Sequence, residues 1–237
     1  VAGRGIQKLR DAGREVTVGI LKEECQSLIR RFITFNTLHR PFITLKWAES
    51  ADHFIDMERT SGVPVILSSP LTSMLVHKKR AEADAIMVGR RTALLDNPSL
   101  TVRNWYGHHP IRVVLDRTSS LPNDLQIFDG NVPTLVFTEK KQPARSNITY
   151  ISIDFNHNPL EQIMEVLYQR KIQSLLVEGG SQLLQSFIND ELWDEAYIEK
   201  CPNRLHSGVK APQMNDNFSY SIEEHFERQF WHYVHRI

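Results

Sequence analysis

Over most of this chain, short apolar runs alternate with stretches whose apolar residues recur at helical spacing. Pro41 to Ala48, Ala85 to Val88, Ile111 to Leu115, Leu135 to Phe137, Tyr150 to Ile153, Ser174 to Val177 and Glu195 to Glu199 read as strands. Between them, Ser69-Pro70 is an N-cap followed by proline at the first helical position, which predicts a helix to about Arg80. Pro159 to about Arg170, with Leu160, Ile163, Met164, Val166 and Leu167, and Ser181 to about Asn189 predict two more helices. Glu49 to Pro64 is polar and irregular and reads as a loop over a site. The alternation from Phe226 to Val234 predicts an edge strand. Repeated strand-helix-strand units predict a largely parallel sheet covered on both faces, with ligands beyond the carboxyl ends of the strands.

Residues 1 to about 38 have a different texture. Ile6 to Ala12 reads as the end of a helix stopped at Gly13, Glu15 to Val18 as a short strand, and Leu21 to about Asn36 as a helix. This unit has too little apolar surface to fold alone, so it is expected to dock on residues 39–237 or hang from them. The chain opens on Val1-Ala2-Gly3-Arg4 rather than methionine, and reads as the back part of something longer.

Composition narrows the function. Lys plus Arg and Asp plus Glu number 28 each, so no overall basic field invites nucleic acid or an anionic membrane. Anion binding must come from local arrangement, which favours a small phosphorylated ligand. The two cysteines, Cys25 and Cys201, make no disulfide framework, and a cytoplasmic location is expected. A zinc deaminase needs His-x-Glu followed by Pro-Cys-x-x-Cys; neither occurs, and no metal site is expected.

Two strand ends carry the chemistry. Ala85-Ile86-Met87-Val88 runs into Gly89-Arg90-Arg91-Thr92, and Leu175-Leu176-Val177-Glu178 runs into Gly179-Gly180-Ser181. A strand that ends in glycine and opens a helix leaves backbone N–H groups directed outward, a seat for phosphate. Two such turns in one α/β chain point to a dinucleotide cofactor, although Gly-x-Gly-x-x-Gly is absent. Arg90 with Thr92, and Arg117 at another strand end, are candidates for gripping a phosphate, and if the nucleotide is NADPH its 2′-phosphate needs such a group. Asp96-Asn97-Pro98 is a turn signal flanked by Arg80 and Arg103, which are candidate clamps for a phosphorylated substrate. Lys46 lies inside an otherwise apolar strand. It either reaches water at the strand end or is held in a site as an acid or donor.

On these residues the chain resembles the reductase half of the bifunctional riboflavin-biosynthesis deaminase/reductase family, over about Arg40 to Gln213. The motifs that carry the resemblance are Leu45-Lys46-Trp47-Ala48-Glu49-Ser50-Ala51-Asp52, the block Gly89 to Arg103, Arg112-Val113-Val114-Leu115-Asp116, and Glu178-Gly179-Gly180. The resemblance implies an α/β, dihydrofolate-reductase-like three-layer fold with a mixed, mostly parallel central sheet flanked by helices. It implies NADPH-dependent reduction of the ribosyl group of 5-amino-6-(5-phosphoribosylamino)uracil to a ribityl group. It puts Thr92, Asp96 and the turn from Gly180 to Ser186, with Ser181, Gln182 and Leu183, at the cofactor, and Arg80, Leu100, Arg103 and Glu178 at the substrate. Glu49, Gly89, Arg90, Gly179 and Arg117, which stands where the family often has a serine, are further cofactor candidates. Lys46, with Asp96 and Glu178, is the expected catalytic group. Residues 1–38 resemble the tail of that family's deaminase domain, without its zinc-binding part, and a homodimer is expected. Alternatives are a reductase of the same fold acting on a pteridine, and an NADPH-binding module without turnover. The family's usual Asp-Gly after the first strand is Asp52-His53 here, and two contacts upstream of the Ser-Pro helix start are replaced by Pro64 and Ile66.

Overall fold

The computed structural model describes residues 3–59, 63–215 and 217–235. Its centre is a nine-stranded sheet. The strands are β1 (Phe42–Glu49), β3 (Ala85–Val88), β4 (Ile111–Leu115), β5 (Thr134–Thr138), β6 (Ile148–Ser152), β7 (Ser174–Gly179), β8 (Glu195–Lys200), β10 (Tyr220–His225) and β11 (Arg228–Val234). Their spatial order is β10-β11-β8-β1-β7-β3-β4-β5-β6. From β8 to β6 every neighbouring pair is parallel, while β11 runs antiparallel to both β8 and β10. A two-stranded ribbon joins β2 (Phe54–Asp56) to β9 (Val209–Lys210).

The chain passes from β1 to β3 over α4 (Pro70–Ala81) and leaves a slot that β7 later fills. The carboxyl ends of β1, β7 and β3 therefore meet at a switch point, where parallel sheets place ligands. Helices α6 (Pro159–Gln169) and α7 (Ser181–Asn189) bury Leu160, Ile163, Leu167, Leu184 and Phe187 against one face, together with Ile43, Leu45, Met87, Val113 and Val177. The opposite face is apolar under α5 (Arg90–Asp96), where Ile86, Val88, Ala93, Val114 and Leu176 pack.

Under α4 that same face changes character. Thr44, Lys46, Glu178, Glu195, Tyr197 and Glu199 occupy it, and α4 itself buries only Thr72 and His77. Ser69 caps α4 by accepting from the Thr72 N–H, with Pro70 in the first turn, as the Ser-Pro pair predicts.

Four expectations fail. Glu15–Val18 forms no strand, since no neighbour is there to pair with it. The helix expected from Leu21 to Asn36 is two, α2 (Lys22–Leu28) and α3 (Arg30–Thr37), broken at Ile29 with φ −110° and ψ 18°. The tail strand is internal, because a two-residue turn at Phe226-Glu227, both with positive φ, folds β10 onto its free side. Glu49–Pro64 is not all loop, since β2 lies within it; residues 60–62 fall outside the described set. The N-terminal unit docks through α3, with Phe35 against Tyr168 at 4.8 Å between ring centroids and Arg30 donating to Glu195. Helix α1 (Arg4–Asp11) buries nothing.

Candidate active site

Strand β7 ends where the polar face meets the carboxyl edge of the sheet, and the two glycine turns adjoin there. The Gly89 N–H donates to the Gly179 carbonyl at 3.4 Å, and the β3–β7 register slips between Met87 and Val88 to bring them together. They open onto a cleft of about 770 Å³ lined also by Lys46, Arg59, Ser68, Arg90, Thr92, Asp96, Glu178, Gly180, Ser181, Gln182 and Leu183.

At the cleft floor the two glycines let Thr92 pack closely on the backbone. A Cβ on Gly179 would lie 3.0 Å from Thr92 Cγ2 and 3.0 Å from Val88 Cγ1. Gly180 has φ +80°, and a Cβ there would lie 3.3 Å from Thr92 Oγ1. Gly180 is favoured by its backbone conformation, a side chain at Gly179 would need Thr92 and Val88 to give by a few tenths of an ångström, and Thr92 fills the space that both missing side chains leave. Gly180 is also the N-cap of α7, so the free N–H groups of that helix's first turn start here. Gly180→Ala is expected to lower stability by about 1–3 kcal/mol through backbone strain alone. The urea midpoint without ligand reads this loss.

At the substrate end the dominant feature is an ion pair. Arg80 donates from Nε to Glu178 Oε1 at 2.9 Å and from Nη2 to Oε2 at 2.5 Å, and its Nη1 reaches the Thr101 carbonyl at 3.3 Å. The two side chains are 14% and 9% exposed, so the pair is largely desolvated. Burial pushes the Glu178 carboxyl up, but Arg80 and, beyond it, Lys46 more than reverse this, and the net displacement is downward. Lys46 shows the opposite balance. Burial, its largest influence, pulls the ammonium below the ordinary lysine value against the pull of Glu178 and Glu199, and Arg80 adds to the lowering. A lysine shifted this way gives up its proton more readily than one in water.

Loop residues are tied down by groups that local patterning does not single out. Arg59 donates to Asp56, to the Leu95 carbonyl at 3.2 Å and to Asp96, which pins the segment after β2 to the end of α5. His77 Nδ1 accepts from the Arg103 N–H at 3.0 Å, and His109 Nδ1 from the Val102 N–H at 3.1 Å. Burial, then the charges of Arg80 and Arg103, lower His77, which stays neutral and able to accept. Long-range partners of this kind leave no trace in periodicity; a histidine inside a helix next to a run of cations is the only sign.

Several expected site residues stand elsewhere. Glu49 shares a strand face with Trp47, not Lys46, because side chains alternate along β1. It accepts from Trp47 Nε1 at 2.8 Å and from Lys200 Nζ at 2.5 Å beside a second cavity of about 1000 Å³. Arg117 turns away from the cleft to Glu139 at 2.9 Å and Asn156 at 2.9 Å. The Leu100 side chain is in the core with Ile86 and Val114, although its φ of +53° is unusual for a bulky residue. Arg103 is not among the residues that line the cleft; its guanidinium donates to Ser99 Oγ. Arg80 reaches the site through Glu178, with its fork already engaged. Arg90 is on the cleft wall, half exposed, donating to Ser120 Oγ at 3.1 Å with Asp116 Oδ1 at 3.7 Å. Among the described residues no group of three or more His, Cys, Asp or Glu could hold a metal ion. No described helix is long and apolar enough to cross a membrane.

Comparison with known proteins places this geometry in a family. A profile described as the RibD C-terminal domain matches residues 41–203. The riboflavin biosynthesis protein RibD of Aquifex aeolicus is 32% identical over 232 residues, covering 94% of this chain and 63% of that protein. Its namesake in Chlamydia pneumoniae is 36% identical over 215 residues, covering 85% and 57%. The chain thus spans about three fifths of the length of the curated relatives it matches. A crystal structure from Thermotoga maritima, a diaminohydroxyphosphoribosylaminopyrimidine deaminase/5-amino-6-(5-phosphoribosylamino)uracil reductase, superposes with a TM-score of 0.86 at 30% identity. That match covers 98% of this chain and 67% of that one. A Saccharomyces riboflavin biosynthesis reductase shares the fold, with a TM-score of 0.65 at 19% identity over 87% of this chain and 98% of that one.

Proposed function

The chain belongs to the RibD C-terminal domain family, and from that premise we propose that it reduces the ribosyl group of 5-amino-6-(5-phosphoribosylamino)uracil to a ribityl group with NADPH. The observation that carries the reading is one cleft in which Gly89, Gly179 and Gly180 meet Lys46 and Glu178. NADPH would supply the hydride. The cleft suits it: Ser181, Gln182 and Leu183 line it, and the first-turn N–H groups of α7 offer donors to a pyrophosphate. Arg90 at the rim is the candidate for the 2′-phosphate, while Asp96 and Arg59 shape the wall.

Lys46 and Glu178 face the sugar in this reading. Opening the ribose to accept hydride requires a proton at its ring oxygen or at the glycosidic nitrogen, and Lys46 Nζ delivers it. Glu178, fixed by both nitrogens of the Arg80 fork, is a rigid acceptor for a sugar hydroxyl, which orients the acceptor carbon. The 99–103 loop, held by His77 and His109, borders the Arg80–Glu178 pair through the Thr101 carbonyl and is the candidate for the substrate's phosphate end, with Arg103 to be recruited from Ser99.

Loss of reduced-nicotinamide absorbance on adding the pyrimidine substrate tests the reaction directly. No oxidation, with NADPH still bound by fluorescence titration, would leave a binding module instead. Arg90→Ala is expected to cut the preference for NADPH over NADH by roughly ten-fold or more, the cost of one charge-assisted contact. Equal preference before and after the change removes Arg90 from the cofactor site. Residues 3–38 we assign to the tail of a deaminase domain, since the Aquifex relative aligns beyond the 41–203 segment. Strand β10, exposed along its whole length with one edge unpaired, is the surface proposed for homodimer pairing.

A further inference from the structure

Behind the cleft, on the polar face under α4, lies a carboxylate that the proposed reaction does not use. Glu199 on β8 is fully buried. Its Oε2 accepts from Ser68 Oγ at 2.5 Å, and its Oε1 has no hydrogen-bond partner among the described residues. A buried charged oxygen without a donor is expensive, and a fold keeps one only where a donor visits it or a nearby cation offsets it. The sheet supplies one cation. In the parallel β1–β8 register Lys46 sits opposite Tyr197 and Ala48 opposite Glu199, so Lys46 and Glu199 share a face as diagonal neighbours. Diagonal Cβ atoms are about 7–8 Å apart, within reach of a lysine and a glutamate together.

We infer that Glu199 is a positioning residue for Lys46: its carboxylate, one oxygen held by Ser68 and the other unpartnered, offsets the Lys46 ammonium across the face they share, so that the lysine is presented to the cleft charged. Three charged groups act on Lys46 among the described residues, and one phenol is paired with it in the sheet register. Glu178 stands on β7, Glu199 and Tyr197 on β8, and Arg80 on α4. Each oxygen of Glu178 already accepts from Arg80, whereas Glu199 Oε1 accepts from no described residue, so Glu199 is the less engaged of the two carboxylates. Without Glu199, burial and Arg80 would act on Lys46 with one opposing anion instead of two. Ser68 lines the cleft, so the arrangement also couples the segment before α4 to the state of the lysine. The inference deepens the reading of Lys46 as the proton donor and rests on it, but its test does not need turnover.

The test is acetylation of the full chain by limiting acetic anhydride across a pH series, without cofactor or substrate, with the Lys46 peptide read by mass spectrometry. Glu199→Gln is expected to move the Lys46 labelling midpoint down by about one pH unit, which raises labelling below both midpoints roughly ten-fold. Glu199→Asp, which keeps the charge, is expected to return the midpoint toward the parent. A folded Glu199→Gln chain with an unchanged midpoint overturns the inference. If that variant does not fold, Lys46→Met and Lys46→Met/Glu199→Gln are compared by melting. The double variant should melt higher by roughly 2–4 °C, because the orphaned buried charge is gone; an equal or lower Tm overturns the inference. Absence of NADPH oxidation in the parent chain would sink the reaction while leaving the labelling result intact.

Discussion

Glu178→Ala is expected to cost about 3–5 kcal/mol of stability, which lowers the Tm by roughly 6–20 °C. The size of the effect follows from what is left behind. Arg80, 14% exposed, keeps its charge at any working pH and loses the two hydrogen bonds that hold its fork. The dependence on pH has a definite sign. Glu178 titrates below an ordinary carboxylate, so its stabilising contribution is fully present above the unfolded value and is lost as pH falls through the folded one. The gap in Tm between the parent and Glu178→Gln should be widest near neutrality and close in acid. Calorimetry across that range checks both statements. Equal melting of parent and Glu178→Ala would mean that the pair is a surface ornament. Turnover should fall too, since the acceptor that orients the sugar is gone.

How much of this could be read from the sequence depends on the range of the interaction concerned. Strand β1, the Ser69-Pro70 helix start, the Gly89 turn and the Gly179-Gly180 turn follow from local rules of period, capping and glycine geometry. The three-layer, mostly parallel architecture follows from their order. Lys46 declared itself as a cation in an apolar strand, and it does sit on the cleft wall. The same test applied to Glu195-Ala196-Tyr197-Ile198-Glu199-Lys200 would have singled out Glu199, an acid on a buried strand. Glu49 was misplaced by motif position, and strand alternation alone puts it opposite Lys46. Arg59, His77 and His109 act across the fold on partners 7 to 37 residues away, at a range where spacing carries no information. Arg117 and Arg103 illustrate the converse: an arginine in a connecting segment takes whichever acceptor the fold brings, here Glu139 and Ser99.

The largest effect on chemistry is expected from Lys46→Met, which keeps the length and apolar packing of the side chain and removes the proton. General-acid assistance is worth about 10²–10⁴-fold, so kcat should fall by that factor while NADPH affinity stays within about three-fold. Arginine should not rescue it. A guanidinium holds its proton too tightly to donate and is too broad for a slot between β7 and β8 side chains. The pH dependence separates proton donation from mere shape. Lys46 titrates below an ordinary lysine, chiefly because it is buried, so a donor role predicts that kcat falls as pH rises through that lowered value. The limb should disappear in Lys46→Met, whose residual rate comes from orientation and hydride proximity alone. Stability carries an independent sign. A lysine whose folded value is depressed destabilises the fold below that value and ceases to do so as pH rises to the unfolded one, so the parent should gain stability over that interval and Lys46→Met should not. A kcat profile with the same alkaline limb in both chains would take the proton away from Lys46 and leave water held by Glu178 to deliver it.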